Sequence, residues 1–233
     1  MAFYVGTSGF SYKEWKGNFY PEKMKEKDML AHYAQHLSAV EINNTFYRMP
    51  RREVLTNWSE ITPDDFRFII KASRRITHFK HLKDADEPMR YLFQAVEVLG
   101  DKLGAILFQL PPNMRCDLDR LQRFVELVPN DMPVSFEFRN PSWFDDDVLD
   151  CLRSRNMSVC FSDSDTLDLP FVSTADWGYL RLRRPAYDEQ ALRGWQQAAM
   201  EAKWRDALVF FKHEDDGAGP ALAGEFLELV RSS

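Results

Sequence analysis

The strongest constraint on the fold is a regular alternation of two kinds of segment along the chain. Short segments with a period of two, typical of β-strands, are separated by longer segments with the period of an amphipathic helix. In the clearest strand, VSFEFR at residues 134–139, every second residue is apolar and the residues between are polar. A sheet covered by helices leaves such a polar face in an interior, where charged groups need partners.

Eight strands are predicted, at residues 3–5, 39–43, 66–71, 104–110, 134–139, 158–162, 179–183 and 207–213. Helices are predicted at residues 27–37, 52–60, 87–99, 117–127, 145–155, 188–203 and 220–230. This order predicts an α/β protein with a TIM-like (β/α)8 barrel, in a single domain over residues 1–233, with the helix between strands six and seven missing or shortened. The alternative is an open doubly wound sheet, but Gly6-Thr7-Ser8-Gly9 is too short for its phosphate-binding fingerprint.

Composition limits the classes of protein that fit. A length of 233 residues suits one barrel, and a hydrophobic fraction of 45% supplies ample core. The formal charge of -6 argues against a general binder of polyanions. Cys116, Cys151 and Cys160 are too widely spaced to suggest a zinc or disulfide framework. With no apolar stretch of ~20 residues and no leader-like start, we expect a reduced, cytoplasmic protein that does not contact membranes.

Six sequence blocks, in order along nearly the whole chain, carry a family resemblance. They are GTSGFSYKEWKGNFYP (6–21), EINNTFYRMP (41–50), FIIKASRRITH (68–78), GAILFQLPP (104–112), FEFRNPSW (136–143) and FKHED (211–215). The chain thereby resembles the YecE-like family, domain of unknown function 72, and the resemblance implies a TIM-barrel-like fold without implying a reaction. The predicted seventh strand departs from the family pattern: Arg181-Leu182 is followed by Arg183-Arg184, where many relatives carry His-Gly. No role for that histidine carries over.

The ends of the predicted strands deliver polar residues where a purely structural barrel would hold branched aliphatic ones. These candidate site residues are Thr7, Glu41, Asn43, Lys71, Gln109, Glu137, Arg139, Asp163, Arg181 and His213. Because the carboxyl ends of barrel strands meet at one mouth, we expect a ligand or catalytic site there. The alternative is a buried ion network that serves packing alone, with Glu41 paired to Arg139 and Glu137 paired to Lys71.

Loops after three strands concentrate positive charge. Residues 71–83 contain Arg74 and His78 among several cations and, before residue 84, no acid. Residues 43–52 and 179–187 are also basic. Each of these cations taken singly is explained as a solvent-exposed loop residue, and only their clustering indicates a site. A basic rim attracts anions, and arginine binds phosphate or carboxylate through two hydrogen bonds. Among the interleaved aromatic residues, we expect Trp15 and Trp143 to face a ligand.

Glu137, Glu41 and Lys71 are the candidate catalytic residues. One carboxyl would stay ionised while the other has a raised pKa and acts as an acid. Lys71 would be a base or Schiff-base former if neutral, or would bind an oxyanion or pair with a glutamate if charged. Arg139 would stabilise negative charge, while Asn43, Gln109 and Arg181 would orient the substrate. A divalent metal is a less favoured alternative, with ligands drawn from His78, His81, Glu41, Glu137, Asp163 and His213.

Together these features predict an enzyme of hydrolase or lyase type acting on an anionic, phosphorylated or nucleotide-like substrate. The sequence has no nicotinamide or flavin fingerprint, and we predict no cofactor. The first alternative is a non-catalytic protein that binds a nucleotide or nucleic acid through the same basic and aromatic rim. The second is a structural scaffold that binds no anion.

Overall fold

The computed structural model describes residues 1–163, 169–213 and 217–232. Within these ranges the chain forms eight strands: β1 (Ala2–Ser8), β2 (Ala39–Ile42), β3 (Arg67–Lys71), β4 (Leu103–Gln109), β5 (Val134–Glu137), β6 (Ser158–Asp163), β7 (Trp177–Leu182) and β8 (Asp206–Phe211). The same ranges hold seven α-helices: α1 (Glu26–Tyr33), α2 (Arg52–Glu60), α3 (Asp86–Val96), α4 (Leu118–Glu126), α5 (Asp146–Arg153), α6 (Glu189–Glu201) and α7 (Ala218–Arg231).

The strands form one closed barrel in the order β1 to β8. Neighbouring strands are parallel, and β1 closes the barrel by pairing with β8, where Thr7 lies opposite Phe211. The predicted TIM-like (β/α)8 barrel is confirmed, and the alternative of an open sheet is wrong. Because all strands run in the same direction, their carboxyl ends gather at a single mouth.

Side chains along the strands alternate between the barrel interior and the surrounding helices. Inside the barrel, a group that we call the apolar plug consists of Ile69, Leu107, Tyr179, Leu208 and Phe210. Two positions after members of this plug come Lys71, Gln109 and Arg181, which therefore also face inward but nearer the mouth. The larger apolar cluster lies between the outer face of the barrel and its helices.

Aspartates set the start of three helices. Asp117, Asp145 and Asp188 each accept a hydrogen bond from a backbone N–H in the first turn of α4, α5 and α6, respectively. An aspartate at this position satisfies a backbone donor that the helix itself leaves unpaired. The predicted starts at residues 117, 145 and 188 agree with these caps.

Two helices end at least three residues earlier than predicted, and a predicted loop is partly helical. Helix α1 ends at Tyr33, because the residues that follow form turns instead of continuing the ladder of helical hydrogen bonds. Helix α3 ends at Val96 and gives way to a 3-10 segment, within which Gly100 has a φ of 49° and so leaves the helical region. The basic loop after β3 contains a π-helical turn, Arg75–Phe79.

Residues 169–176, between β6 and β7, contain no helix. Residues 164–168 lie outside the described ranges, as do Glu214 and Asp215 of the FKHED block. Over the residues that the structure describes, no helix is both long enough and apolar enough to cross a bilayer.

Candidate active site

Five inward side chains at the carboxyl ends of the strands form what we call the charged layer: Glu41, Lys71, Gln109, Glu137 and Arg181. They come from five different strands, and each is at most 8% exposed. The sequence predicted that all five would meet at one mouth. The layer lies directly above the apolar plug, so its charges face each other instead of bulk water.

Arg181 is the centre of the charged layer and joins the two carboxylates. Its Nε and NH2 groups donate to the two oxygens of Glu41 at 2.7 and 2.8 Å. Its NH1 group donates to Glu137 Oε2 at 2.6 Å. The guanidinium is 2% exposed, and its planar fork suits this bidentate geometry. The pairing expected for a packing network, Glu41 with Arg139 and Glu137 with Lys71, is wrong, because Arg181 takes both carboxylates.

Further donors complete the shell around Glu41. Ser8 Oγ and Asn43 Nδ2 each donate to Glu41 Oε1 at 2.8 Å. Tyr179 Oη donates to Glu41 Oε2. Burial raises the pKa of Tyr179, and the nearby Glu41 carboxylate raises it further, so the phenol remains protonated and able to donate. Four side chains thus hold this carboxylate in its ionised form.

Glu137 has a similar set of partners. Gln109 Nε2 donates to its Oε2 at 2.7 Å, and Arg139 Nε donates to its Oε1 at 3.0 Å. Arg139 leaves the barrel wall just after β5, and its side chain is 26% exposed. It therefore connects the buried layer to the open mouth.

Both carboxyls stay ionised at neutral pH. Burial raises the pKa of Glu41, but the Arg181 guanidinium outweighs burial, and the pKa falls from 4.5 to about 2. Burial opposes Arg181 and Arg139 at Glu137 as well, and the net effect again lowers its pKa. The expectation that one glutamate has a raised pKa is wrong, because each carboxylate accepts hydrogen bonds from several cationic or neutral donors. A catalytic role for either glutamate stays a prediction.

Lys71 differs from the other charged members of the layer in its lack of polar partners. Its Nζ lies 4.5 Å from the centre of the Phe46 ring, and no described residue accepts a hydrogen bond from it. Burial lowers its pKa, and Arg181 lowers it further. Glu41 and Glu137 partly oppose these effects, and the pKa lies at about 8. A substantial fraction of the amine is therefore neutral slightly above physiological pH.

Among the residues that the structure describes, cationic side chains outnumber carboxylates at the mouth. Arg183, one step beyond the end of β7, is half-buried, and burial together with Arg181 lowers its pKa. With Arg139, Lys71 and Arg181 it makes four cationic side chains in this group, against the two carboxylates of the charged layer. The other described carboxylate at the mouth, Asp163, lies 3.4 Å from Arg184 Nε, so this ion pair does not change the balance. His78 lies beside this group, and burial and the Lys71 charge lower its pKa, so it adds no positive charge at neutral pH.

The outer rim presents an aromatic and cationic surface. The guanidinium of Arg74 lies between the rings of Tyr47 and Phe79, at 5.1 and 5.2 Å from their centres. Tyr47 is 69% exposed and Phe79 is 67% exposed. The π-helical turn that carries Phe79 also carries His78, whose ring contacts Phe46 edge-on. This rim is suited to stacking against a flat ligand.

The two tryptophans expected to face a ligand do not do so. Trp143 is fully buried; its Nε1 donates to the carbonyl of Met114 at 2.8 Å, and its ring stacks on Phe138. Trp15 is also fully buried and packs against Tyr12 among other loop aromatics. Both expectations are wrong, because these indoles fix loops onto the barrel and leave no face open.

Asp163 and His213 lie at the β6–β8 side of the mouth, outside the charged layer. Asp163 Oδ1 accepts hydrogen bonds from the Arg183 backbone N–H and from the Tyr187 hydroxyl, and so supports the loop after β7. His213 Nε2 donates to the carbonyl of Arg184. Nearby, the buried Oγ of Ser162 has no hydrogen-bond partner among the described residues. This oxygen faces the barrel interior, where a ligand could form a hydrogen bond with it.

In the described part of the chain, no three His, Cys, Asp or Glu side chains are arranged to hold a metal ion. The carboxylates that a cation would need, Glu41 and Glu137, already bind Arg181. The absence of a cofactor stays a prediction.

The sequence reasoning missed Ser8 and Tyr179 as part of the site. Both donate hydrogen bonds to Glu41. Alternate residues of a strand face the same side, so this rule could have placed both side chains in the barrel interior. Ser8 is the last residue of β1, and Tyr179 lies two positions before Arg181 on the same face of β7.

Curated proteins similar to this chain include two bacterial relatives. The chain is 33% identical over 116 residues to "UPF0759 protein YecE" of Escherichia coli (strain K12), which covers 49% of this chain and 43% of that protein. It is 29% identical over 149 residues to "UPF0759 protein YunF" of Bacillus subtilis (strain 168), covering 60% and 52%, respectively. The chain thus spans about half the length of the curated relatives it matches.

Solved structures and a family model match far more of the chain. A DUF72 family protein from Thermotoga maritima MSB8 aligns with a TM-score of 0.86 and 26% identity, over 99% of this chain and all of that one. One from Enterococcus faecalis V583, at 20% identity and a TM-score of 0.79 over 100% and 98%, shows the shared fold. The model described as "Protein of unknown function DUF72" matches residues 4–233. The chain therefore belongs to the DUF72 family.

Proposed function

We propose that this protein is an enzyme that binds a small anionic substrate at the mouth of the barrel and acts on it as a lyase or hydrolase. The observation that carries the proposal is the excess, within the described part of the chain, of buried and half-buried cations over carboxylates around Lys71. An uncompensated positive charge in a low-dielectric site is costly unless an anion completes it. Arg139 and Arg183 reach the opening and would bind a phosphate or carboxylate group.

The glutamates have a different role in this proposal from the one that the sequence suggested. With lowered pKa values and saturated oxygens, Glu41 and Glu137 would hold Arg181 in place and would not transfer protons. Lys71 is then the charged-layer residue that can gain and lose a proton near neutral pH. Ser162, whose inward hydroxyl has no hydrogen-bond partner in the described ranges, would contact the substrate.

Anion binding is tested by thermal unfolding in a titration with phosphate, against sodium chloride at equal ionic strength. Phosphate at 100 times its Kd would contribute about 2.7 kcal/mol, which raises Tm by about 5 to 10 °C for a chain of this size. Arg139→Gln and Arg183→Gln should each reduce the shift, whereas Arg153→Gln, on the exposed face of α5, should leave it unchanged. Equal effects of phosphate and chloride would contradict the proposal.

Turnover is tested with panels of phosphorylated and carboxylated metabolites followed by NMR. Loss of substrate signal with the wild type, but not with Lys71→Met, would support an enzyme. Binding without turnover across both panels would instead favour the second candidate.

That candidate is a non-catalytic protein that binds a nucleotide or nucleic acid. It rests on Arg74, which is held between the exposed rings of Tyr47 and Phe79. The double variant Tyr47→Ala, Phe79→Ala should then weaken binding of a fluorescent single-stranded oligonucleotide at least tenfold, with a steep dependence on salt. If the oligonucleotide does not bind the wild type at low salt, this candidate is excluded.

A further inference from the structure

Lys71 has an unusual position for a buried lysine. It ends β3, faces the barrel interior and is 8% exposed. Its Nζ rests over the Phe46 ring and donates to no acceptor among the described residues. Buried lysines are ordinarily paired, because an unpaired ammonium loses its hydration without compensation.

The carboxylates near Lys71 are not its hydrogen-bond partners. Glu41 accepts from Ser8, Asn43, Tyr179 and Arg181, and Glu137 accepts from Gln109, Arg139 and Arg181. A structural role for Lys71 as the counter-ion of either glutamate is therefore already filled by arginine. Among the described residues, the amine contacts the Phe46 ring and makes no hydrogen bond, which leaves its nitrogen available to a ligand.

The setting also favours the neutral, nucleophilic form of the amine. With a pKa of about 8 in place of 10.5, the unprotonated fraction at pH 7 is about 300 times that of an ordinary lysine. Desolvation beside other cations is a recognised way to activate an amine toward carbonyl groups. Arg139 and Arg183, at the opening, would receive a negatively charged group on the same molecule.

From this geometry we infer that Lys71 is a nucleophile that forms an imine with an aldehyde or ketone bearing a phosphate or carboxylate group. The inference rests on the proposed anion-binding function and names the class of substrate. The Nζ lone pair attacks the carbonyl carbon while the C=O π electrons move to oxygen, giving a carbinolamine. One proton passes from the nitrogen to this oxygen, and a second comes from solvent, which had received it when the ammonium became the neutral amine. The oxygen then leaves as water, and the nitrogen lone pair forms the C=N bond. Overall, R–NH3⁺ and O=CR2 become R–NH⁺=CR2 and H2O.

The charged layer fits this product. The iminium carries the same single positive charge as the ammonium it replaces, so the attraction of Glu41 and Glu137 for a cation at this point is retained. An iminium is an electron sink that assists cleavage of a bond next to the former carbonyl carbon, which is lyase chemistry. The inference therefore favours the lyase alternative over the hydrolase alternative.

The test uses pyridoxal 5′-phosphate, which has an aldehyde and a phosphate, and pyridoxal, which has the aldehyde alone. The full chain is incubated with each probe at pH 7 and reduced with borohydride, and the labelled lysine is located by peptide mass spectrometry. Lys71→Met removes the amine, and Lys83→Met is the matched control because Lys83 is exposed in the same basic segment. Phosphate titrated by thermal unfolding reports anion binding separately.

We expect pyridoxal 5′-phosphate to label Lys71 at least tenfold faster than Lys83, with protection by phosphate and at least tenfold slower labelling by pyridoxal. Lys83→Met should label normally. In a second outcome, phosphate raises Tm while the label spreads over exposed lysines and Lys71 is labelled no faster than Lys83. That result overturns the imine inference and leaves the proposed function standing. If phosphate neither raises Tm nor protects, both fall. Should Lys71→Met not fold, the peptide map of the wild type still decides.

Discussion

Replacing Arg181 by methionine should destabilise the protein strongly. The change removes three charge-assisted hydrogen bonds of 2.6 to 2.8 Å and leaves Glu41 and Glu137 buried without their shared cation. Removing one partner of a buried ion pair typically costs about 3–5 kcal/mol. The lowered pKa of Glu41 supports this range. A fall in pKa from 4.5 to about 2 corresponds to about 3 kcal/mol, because each pKa unit is worth about 1.36 kcal/mol.

The effect should depend on pH in a defined direction. In the wild type, the lowered pKa of Glu41 contributes stability that is complete above the unfolded pKa of 4.5 and is lost as pH falls toward about 2. In Arg181→Met, burial acts without the guanidinium and raises the pKa of both carboxyls, so each can take up a proton at a higher pH. The difference in stability between the two proteins should therefore be largest near pH 7 and smaller by at least about 1 kcal/mol at pH 4.5.

Urea unfolding followed by circular dichroism at pH 7 and pH 4.5 measures both quantities. Arg153→Met is a matched control, because Arg153 NH1 also lies 2.6 Å from a carboxylate oxygen, on Asp150, but both side chains are largely exposed. That variant should lose less than about 1 kcal/mol, with little dependence on pH. The reasoning is refuted if Arg181→Met also loses less than about 1 kcal/mol, or if its loss is the same at both pH values.

Three further changes test the site and the barrel. Glu137→Gln removes a charge that raises the pKa of Lys71, so NMR titration of the ¹³C-methylated lysine should give a value below that of the wild type. Gly6→Ala places a Cβ 1.8 Å from the carbonyl oxygen of Ala39, so β1 and β2 must separate, and circular dichroism should show a loss of at least about 3 kcal/mol or no folding. Tyr33→Phe removes a hydroxyl that donates to Ala39 at 2.9 Å, and urea unfolding should show a loss of about 1–3 kcal/mol.

The period-two rule located the charged layer from sequence but could not assign its pairs. It placed Glu41, Glu137 and Arg181 on inward faces at strand ends, and the barrel brings those ends together. Which carboxylate binds which cation depends on the reach of side chains across the barrel. Glu41 and Arg181 are 140 residues apart in the chain, and no local pattern encodes their contact.

Loop aromatics and helix ends were harder to predict for a related reason. Composition alone does not tell whether a tryptophan side chain is buried or exposed. Trp143 is buried beneath its loop, where its Nε1 donates a hydrogen bond to the Met114 carbonyl. The 3-10 segment that follows α3 is interrupted at Gly100 by a positive φ, which a glycine permits without requiring. The helix starts at Asp117 and Asp188 could be predicted from the sequence, because each capping side chain accepts a hydrogen bond from a backbone N–H only three residues later.

The apolar plug closes the barrel beneath the charged layer. Its five side chains are at most 3% exposed, so the interior has no passage from one end to the other. A molecule that reaches Lys71 must enter and leave by the same opening. For the enzyme that we propose, product held by the arginines would therefore block the next substrate, and inhibition by product should be competitive.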